Sequence, residues 1–122
     1  MSQFESPLRI YGIAVSFFMF TFIETKLFTK LVLDYLADEE YWELQKLLIA
    51  QPAAGDVIPG TGGVRKLRWR TPGRGKRGGY RVIYYAKIEE GVIWMLTMYP
   101  KSVRTIVPAH VLRAIRNEVE NA

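Results

Sequence analysis

Between Arg65 and Lys87 the chain carries nine of its 17 Lys and Arg residues and no carboxylate. They are Arg65, Lys66, Arg68, Arg70, Arg74, Lys76, Arg77, Arg81 and Lys87. Solubilising charge mixes both signs, so a block of one sign reads as a docking face for something anionic. Guanidinium forks grip phosphate oxygens two at a time, and an ammonium serves as a point charge or a proton carrier. Three common catalytic chemistries lack their residues. There is no cysteine, which removes thiolate nucleophiles, disulfides and cysteine-ligated metals. The single histidine, His110, excludes a histidine acid–base pair. No cluster of His and carboxylates with metal-ligand spacing is apparent, so no metal or cofactor is expected.

The basic block needs elements to hold it. Val64 to Arg70 alternates: Lys66, Arg68 and Arg70 point one way, Arg65, Leu67 and Trp69 the other. Tyr80 to Lys87 is β-branched and aromatic, hence a second strand. Between them, Thr71 to Gly79 is rich in Gly and cations and reads as a mobile basic connection. It lacks Walker spacing and does not lead into a helix, so nucleotide binding is not expected there. Glu89-Glu90-Gly91 is a turn. Val92 to Tyr99 is a continuous apolar strand, buried on both faces, and Pro100 stops it.

Upstream, Phe20 to Ile23 reads as a first strand. A helical pattern begins at Phe28, with Leu31, Leu33, Tyr35 and Leu36 as its apolar residues. Asp38 is the expected N-cap of a second helix, whose stripe is Tyr41, Leu44, Leu47 and Leu48 and which ends at Gln51-Pro52. Ala53 to Gly63 is a loop. A last helix begins near Pro108, striped by Val111, Leu112, Ile115 and Val119. The order strand, helix, helix, strand, strand, strand, helix predicts one α+β domain. Its antiparallel sheet of about four strands would carry an N-terminal α-hairpin and a C-terminal helix.

At 122 residues the chain has room for one domain, expected over residues 19–122, and about half of it is apolar. Residues 1–18 read as an extension or a mis-called start, with Met19 a sensible first residue. The uncharged run Ile10 to Ile23 is too short to span a bilayer comfortably and has no clear cleavage site. The net charge of +5 and pI near 9.6 suit a nucleic-acid partner. A reducing, cytoplasmic setting fits the lack of cysteine.

Several segments together resemble the RelE/HigB branch of bacterial toxins. They are Asp38-Glu39-Glu40-Tyr41, the run Gly55-Asp56-Val57-Ile58-Pro59-Gly60-Thr61-Gly62-Gly63-Val64-Arg65-Lys66-Leu67-Arg68, then Gly75-Lys76-Arg77-Gly78-Gly79-Tyr80-Arg81-Val82-Ile83-Tyr84-Tyr85, and Leu96-Thr97-Met98-Tyr99-Pro100-Lys101. The likeness covers about 100 residues. It implies a ribosome-dependent endoribonuclease that cuts translated messenger RNA without a metal. A small helix-turn-helix antitoxin of the HigA type would restrain it, and the pair would bind promoter DNA; no membrane is involved. The family's working cations fall here on Lys66, Arg68, Arg81 and Lys101. After Pro100 this chain reads Lys101-Ser102-Val103 where many relatives carry Lys-Asn-Glu or similar, and no tyrosine follows Tyr99.

Metal-free RNA cleavage must activate a ribose 2′-hydroxyl, stabilise a crowded phosphorane and protonate the leaving 5′-oxygen. A lysine among arginines sheds its proton more readily, so Lys66 is the expected base. Arg68 and Arg81 would clamp the phosphate, with Lys101 as acid or further phosphate ligand. Tyr85 or Tyr99 would stack on a displaced base, and Arg65, Arg70, Arg74, Lys76 and Arg77 would meet RNA or the ribosome. Two other readings stand beside this one: a non-enzymatic gyrase inhibitor of the ParE type, and a passive nucleic-acid-binding module. Trp42, Trp69 and Trp94 read as core and His110 as structural or surface.

Overall fold

The structure is a computed structural model that describes residues 20–70, 79–103 and 107–121. The expected extension at 1–18 and most of the basic connection, including Arg74, Lys76 and Arg77, lie outside the described residues.

Strand β1 (Thr21–Glu24) leads directly into helix α1 (Lys26–Tyr35) and then α2 (Asp38–Ala50). Strands β2 (Asp56–Val57), β3 (Arg65–Arg70) and β4 (Gly79–Lys87) follow. A 3₁₀ turn at Ile88–Glu90 closes on Gly91, whose φ of 69° is left-handed, and the chain returns as β5 (Val92–Pro100). Helix α3 (Ala109–Glu120) comes last. The α+β class holds, but the sheet does not match the expected four antiparallel strands. It has five, in the order β1-β5-β4-β3-β2, and β1 runs parallel to β5. The fifth strand is the two-residue β2, hidden in what reads as a glycine-rich loop. The parallel pairing arises because α1 and α2 carry the chain away before it comes back, so β1 meets a strand far along the sequence.

The helical hairpin also differs from expectation. It follows β1, as the element order predicts, but α1 packs chiefly on β5 rather than against α2. The two helices meet through side chains, with the Phe28 and Tyr41 rings 5.7 Å apart. Ala37, not Asp38, takes the N-cap position of α2, and the Glu40 side chain accepts its backbone N–H at 2.7 Å. Asp38, Glu39 and Glu40 then favour the positive end of the helix dipole.

The sheet separates two cores. On one face α1 and α2 cover Leu67, Trp69, Val82, Tyr84, Ile93, Met95 and Met98. On the other, Leu112, Ile115 and Val119 of α3 cover Val64, Ile83, Tyr85 and Leu96. Strict alternation would be interrupted between Ile83 and Tyr84, where the register of β4 against β5 slips and leaves Leu96 as the extra residue of a bulge. Thr25 uses the freed carbonyl. Its hydroxyl donates to Leu96 O at 2.7 Å and accepts the Phe28 N–H at 3.0 Å, so one side chain caps α1 and ties it to β5.

Below α1 lies a buried carboxylate. Glu24 is 4% exposed, and both its oxygens are satisfied: Thr29 donates to Oε1 at 2.6 Å and Tyr41 to Oε2 at 2.8 Å. Burial, and then the nearby Glu24, hold the Tyr41 phenol well above its ordinary range, so it stays a donor. No helix of the described residues is long and apolar enough to cross a membrane.

Candidate functional site

The alternation of β3 lays its side chains as expected. Leu67 and Trp69 are buried under α1 and α2; Arg68 and Arg70 are exposed and Lys66 half-buried on the α3 side. Register then supplies what alternation cannot. Arg68 stands directly opposite Arg81, and Arg81 opposite Tyr99. Lys66 stands opposite Ile83, and Ile83 opposite Thr97. Arg70 stands opposite Gly79, whose carbonyl accepts the Lys101 N–H at 3.0 Å. Three rows thus cross three strands on one face, and all four expected catalytic cations fall on them. Neighbours along β3 are about 6.6 Å apart and neighbours across strands about 5 Å.

Helix α3 decides which part of this face is open. Its stripe covers Val64, Ile83 and Tyr85, and Arg68 and Arg70 stay exposed beyond it. At the boundary Lys66 lines a small apolar hollow with Ile58, Ile83, Tyr99, Val107 and Leu112. A lysine at such a boundary can lay its methylene stem along the apolar surface while its ammonium stays in water.

The charge is not neutralised by ion pairs. Among the described residues, no carboxylate pairs with Lys66, Arg68, Arg70, Arg81 or Lys101. Like charges placed directly across a sheet oppose pairing, so this face invites an anion. Asp56, which lies outside the basic block in sequence, is brought opposite Lys66 by the β2–β3 register. Sequence reasoning missed it because two strand residues in a loop of glycines leave no period to count.

Two expected contacts have other work. Arg65 turns to the opposite side, and its guanidinium donates to Gly55 O at 2.7 Å and Ala53 O at 3.4 Å. That bond pins the loop before β2, together with the Tyr84 hydroxyl, which accepts the Gly55 N–H at 2.9 Å and donates to Pro52 O at 2.8 Å. Tyr85 is buried beneath α3 rather than open to a base. Its hydroxyl donates to Glu120 Oε2, and the Arg116 guanidinium lies 5.6 Å from its ring centroid. Arg116 Nε also donates to Gly62 O at 3.0 Å, so α3 is clasped to the sheet and to the loop before β3. Gly62 and Gly63 carry φ of 79° and 114°, and Thr61, fully buried, accepts the Val64 N–H at 3.1 Å to hold that loop. Tyr99, half-buried beside Arg81, remains the aromatic residue at the open rows.

Trp69 is core, as expected, whereas Trp42 and Trp94 are half-buried. His110 is exposed at the start of α3. No group of three or more potential metal ligands exists among the described residues. A search against protein-family models finds none that matches the chain.

Proposed function

We propose that this chain is the toxin of a type II toxin–antitoxin pair, a ribosome-dependent endoribonuclease of the RelE/HigB type acting in the cytoplasm. The observation that carries the reading is the row Arg68–Arg81–Tyr99, flanked by Lys66 and Lys101: among the described residues no carboxylate forms an ion pair with these cations, and Asp56 stands opposite Lys66 alone. A surface built only to be soluble would intersperse acids along the Arg68–Arg81 row; one built to grip a phosphate in one pose would keep that row free of them.

In this reading Arg68 and Arg81 bracket the scissile phosphate. Lys66 takes the proton of the adjacent ribose 2′-hydroxyl, and O2′ attacks phosphorus. The bond from phosphorus to O5′ breaks as Lys101 donates a proton to O5′, leaving a 2′,3′-cyclic phosphate on one fragment and a 5′-hydroxyl on the other. Tyr99 stacks on a base beside the break. The ribosome contributes by presenting the messenger in one bent pose, a positioning effect worth several kcal/mol of barrier at an order-of-magnitude level. Arg70, with Arg74, Lys76 and Arg77 of the connection, meets ribosomal or messenger phosphates. A helix-turn-helix antitoxin covers or blocks the cationic face, and the pair binds its own promoter.

The test is cleavage mapping by primer extension on a defined messenger, with and without programmed ribosomes, for the native chain, Lys66→Ala and Arg81→Ala. Cuts only with ribosomes, lost in both variants, are expected. No cuts with translation intact would leave a passive binding module or a gyrase inhibitor. Salt-sensitive RNA affinity marks the former, and supercoiling inhibition the latter.

A further inference from the structure

Gly79 opens β4 opposite Arg70, two residues before Arg81, so its face of the strand is the cationic one. It is also where Lys101 crosses. A Cβ built on Gly79 would lie 3.0 Å from Lys101 Cδ, 3.6 Å from Cε and 3.7 Å from Cγ. The stem of Lys101 therefore lies flat over the bare Cα of Gly79, with its own backbone held there by the 3.0 Å bond to Gly79 O.

Nothing else at this position demands glycine. The positive-φ glycines among the described residues are Gly60, Gly62, Gly63 and Gly91, and Gly79 is not one of them. Its backbone conformation therefore suits an L-residue. The three nearest atoms to a Cβ there all belong to the Lys101 side chain, whereas at Gly55 a Cβ meets the Lys66 backbone at 3.0 Å. Alanine at 79 would press chiefly on the methylene stem of one lysine.

We propose that Gly79 is a positioning residue: its missing side chain is the slot across which Lys101 lays its stem, setting the Lys101 ammonium on the cationic face as a phosphate contact. This rests on the nuclease reading for the chemistry, and on geometry alone for the slot. A methyl group in the slot makes the Lys101 stem give by a few tenths of an ångström, and since a misplacement of about 1 Å at such a site costs on the order of 10²-fold in rate, the loss here is a fraction of that on the logarithmic scale.

The experiment is a double-mutant cycle of Gly79→Ala and Lys101→Ala. It has two readouts: ribosome-dependent cleavage, separated into kcat and KM, and the affinity of a labelled single-stranded RNA oligonucleotide over a salt series. Gly79→Ala is expected to melt within a few degrees of the native chain and to lose kcat by roughly 3–10-fold. The double variant is expected to be no worse than Lys101→Ala alone. Each single variant should also flatten the slope of log affinity against log salt by about 0.7, the loss of one phosphate contact on a single strand, with no further loss in the double.

Additive losses, an unchanged salt slope in Gly79→Ala, or a Gly79→Ala chain that fails to fold would each overturn the inference. A native chain that binds RNA but never cuts it would overturn the nuclease reading, while a slope effect confined to the Gly79–Lys101 pair would still support the slot. A native chain that neither binds nor cuts RNA overturns both.

Discussion

Arg68 and Arg81 face each other across two strands with no acid to separate them, so the free protein should be strained at its own site. The perturbation is Arg68→Gln, chosen because Arg68 is exposed and its loss removes little packing. Like charges directly opposite in a sheet cost about 0.2–1 kcal/mol. Arg68→Gln should therefore be more stable than the native chain by about that amount at low salt. In a domain of this size the gain corresponds to a rise in Tm of roughly 1–5 °C. Adding Arg81→Gln isolates the pair: the double-mutant cycle should return a repulsive coupling in the same range. The Debye length falls from about 10 Å at 0.1 M salt to about 3 Å at 1 M, so the coupling should fade across that range. Inorganic phosphate should raise the native Tm more than that of either variant, by mass action on the folded state. Calorimetry or thermal unfolding by circular dichroism reads all of this. Destabilisation by Arg68→Gln, or a coupling indifferent to salt, would refute the claim that the Arg68–Arg81 pair is uncompensated. Loss of cleavage in the stabilised variants would mark the repulsion as a cost borne for function.

Tyr41→Phe leaves Glu24 Oε2 buried without its donor, and should cost about 1–3 kcal/mol in urea unfolding. A loss below about 0.5 kcal/mol would mean that water reaches Glu24. The Tyr85–Glu120 bond gives a pH window. Accepting the Tyr85 hydroxyl holds the Glu120 carboxyl below its ordinary 4.5, so its contribution is complete above that pH and lost as pH falls through the depressed value. Burial, and then the bond to Glu120, push Tyr85 above its ordinary 10.0, so stability is present below that pH and lost as pH rises through the raised value. The stability difference between the native chain and Tyr85→Phe should accordingly be flat from about pH 5 to 9 and shrink below pH 4.5; a difference unchanged down to pH 3 would contradict the bond. His110→Ala should leave ribosome-dependent cleavage within about twofold of native, since His110 lies exposed on α3 and no step is assigned to it.

Much of this arrangement is legible in the residues alone, because a period of two assigns faces without knowledge of partners. Lys66, Arg68 and Arg70 separate from Leu67 and Trp69 by counting. Which cation meets which does not follow from counting. The Arg68–Arg81 pairing depends on the register across the β3–β4 connection, and glycine-rich segments specify register weakly. The parallel partnership of Thr21 with Val92 depends on a crossover whose return point no local pattern marks. Tyr85 illustrates a different failure. An aromatic residue on a basic strand looks the same whether it stacks on a base or sits beneath a helix, and only Glu120, 35 residues on, decides. Asp56 and Gly79 were invisible for a common reason: their roles come from what lies opposite them, not from their own type.

The parallel pairing of β1 with β5 has a consequence for when this molecule comes into being. The first strand bonds to one that starts 71 positions later, at Val92. Contacts of such long sequence separation form late, since the loop-closure entropy must be met before they reward it. While the chain is being translated, Thr21–Glu24 has no sheet to join, Arg81 has no Tyr99 beside it, and the slot at Gly79 has no lysine to fill it. The cationic face is therefore assembled only after β5 has been synthesised through Lys101, and a nascent chain that has not reached that residue lacks the site.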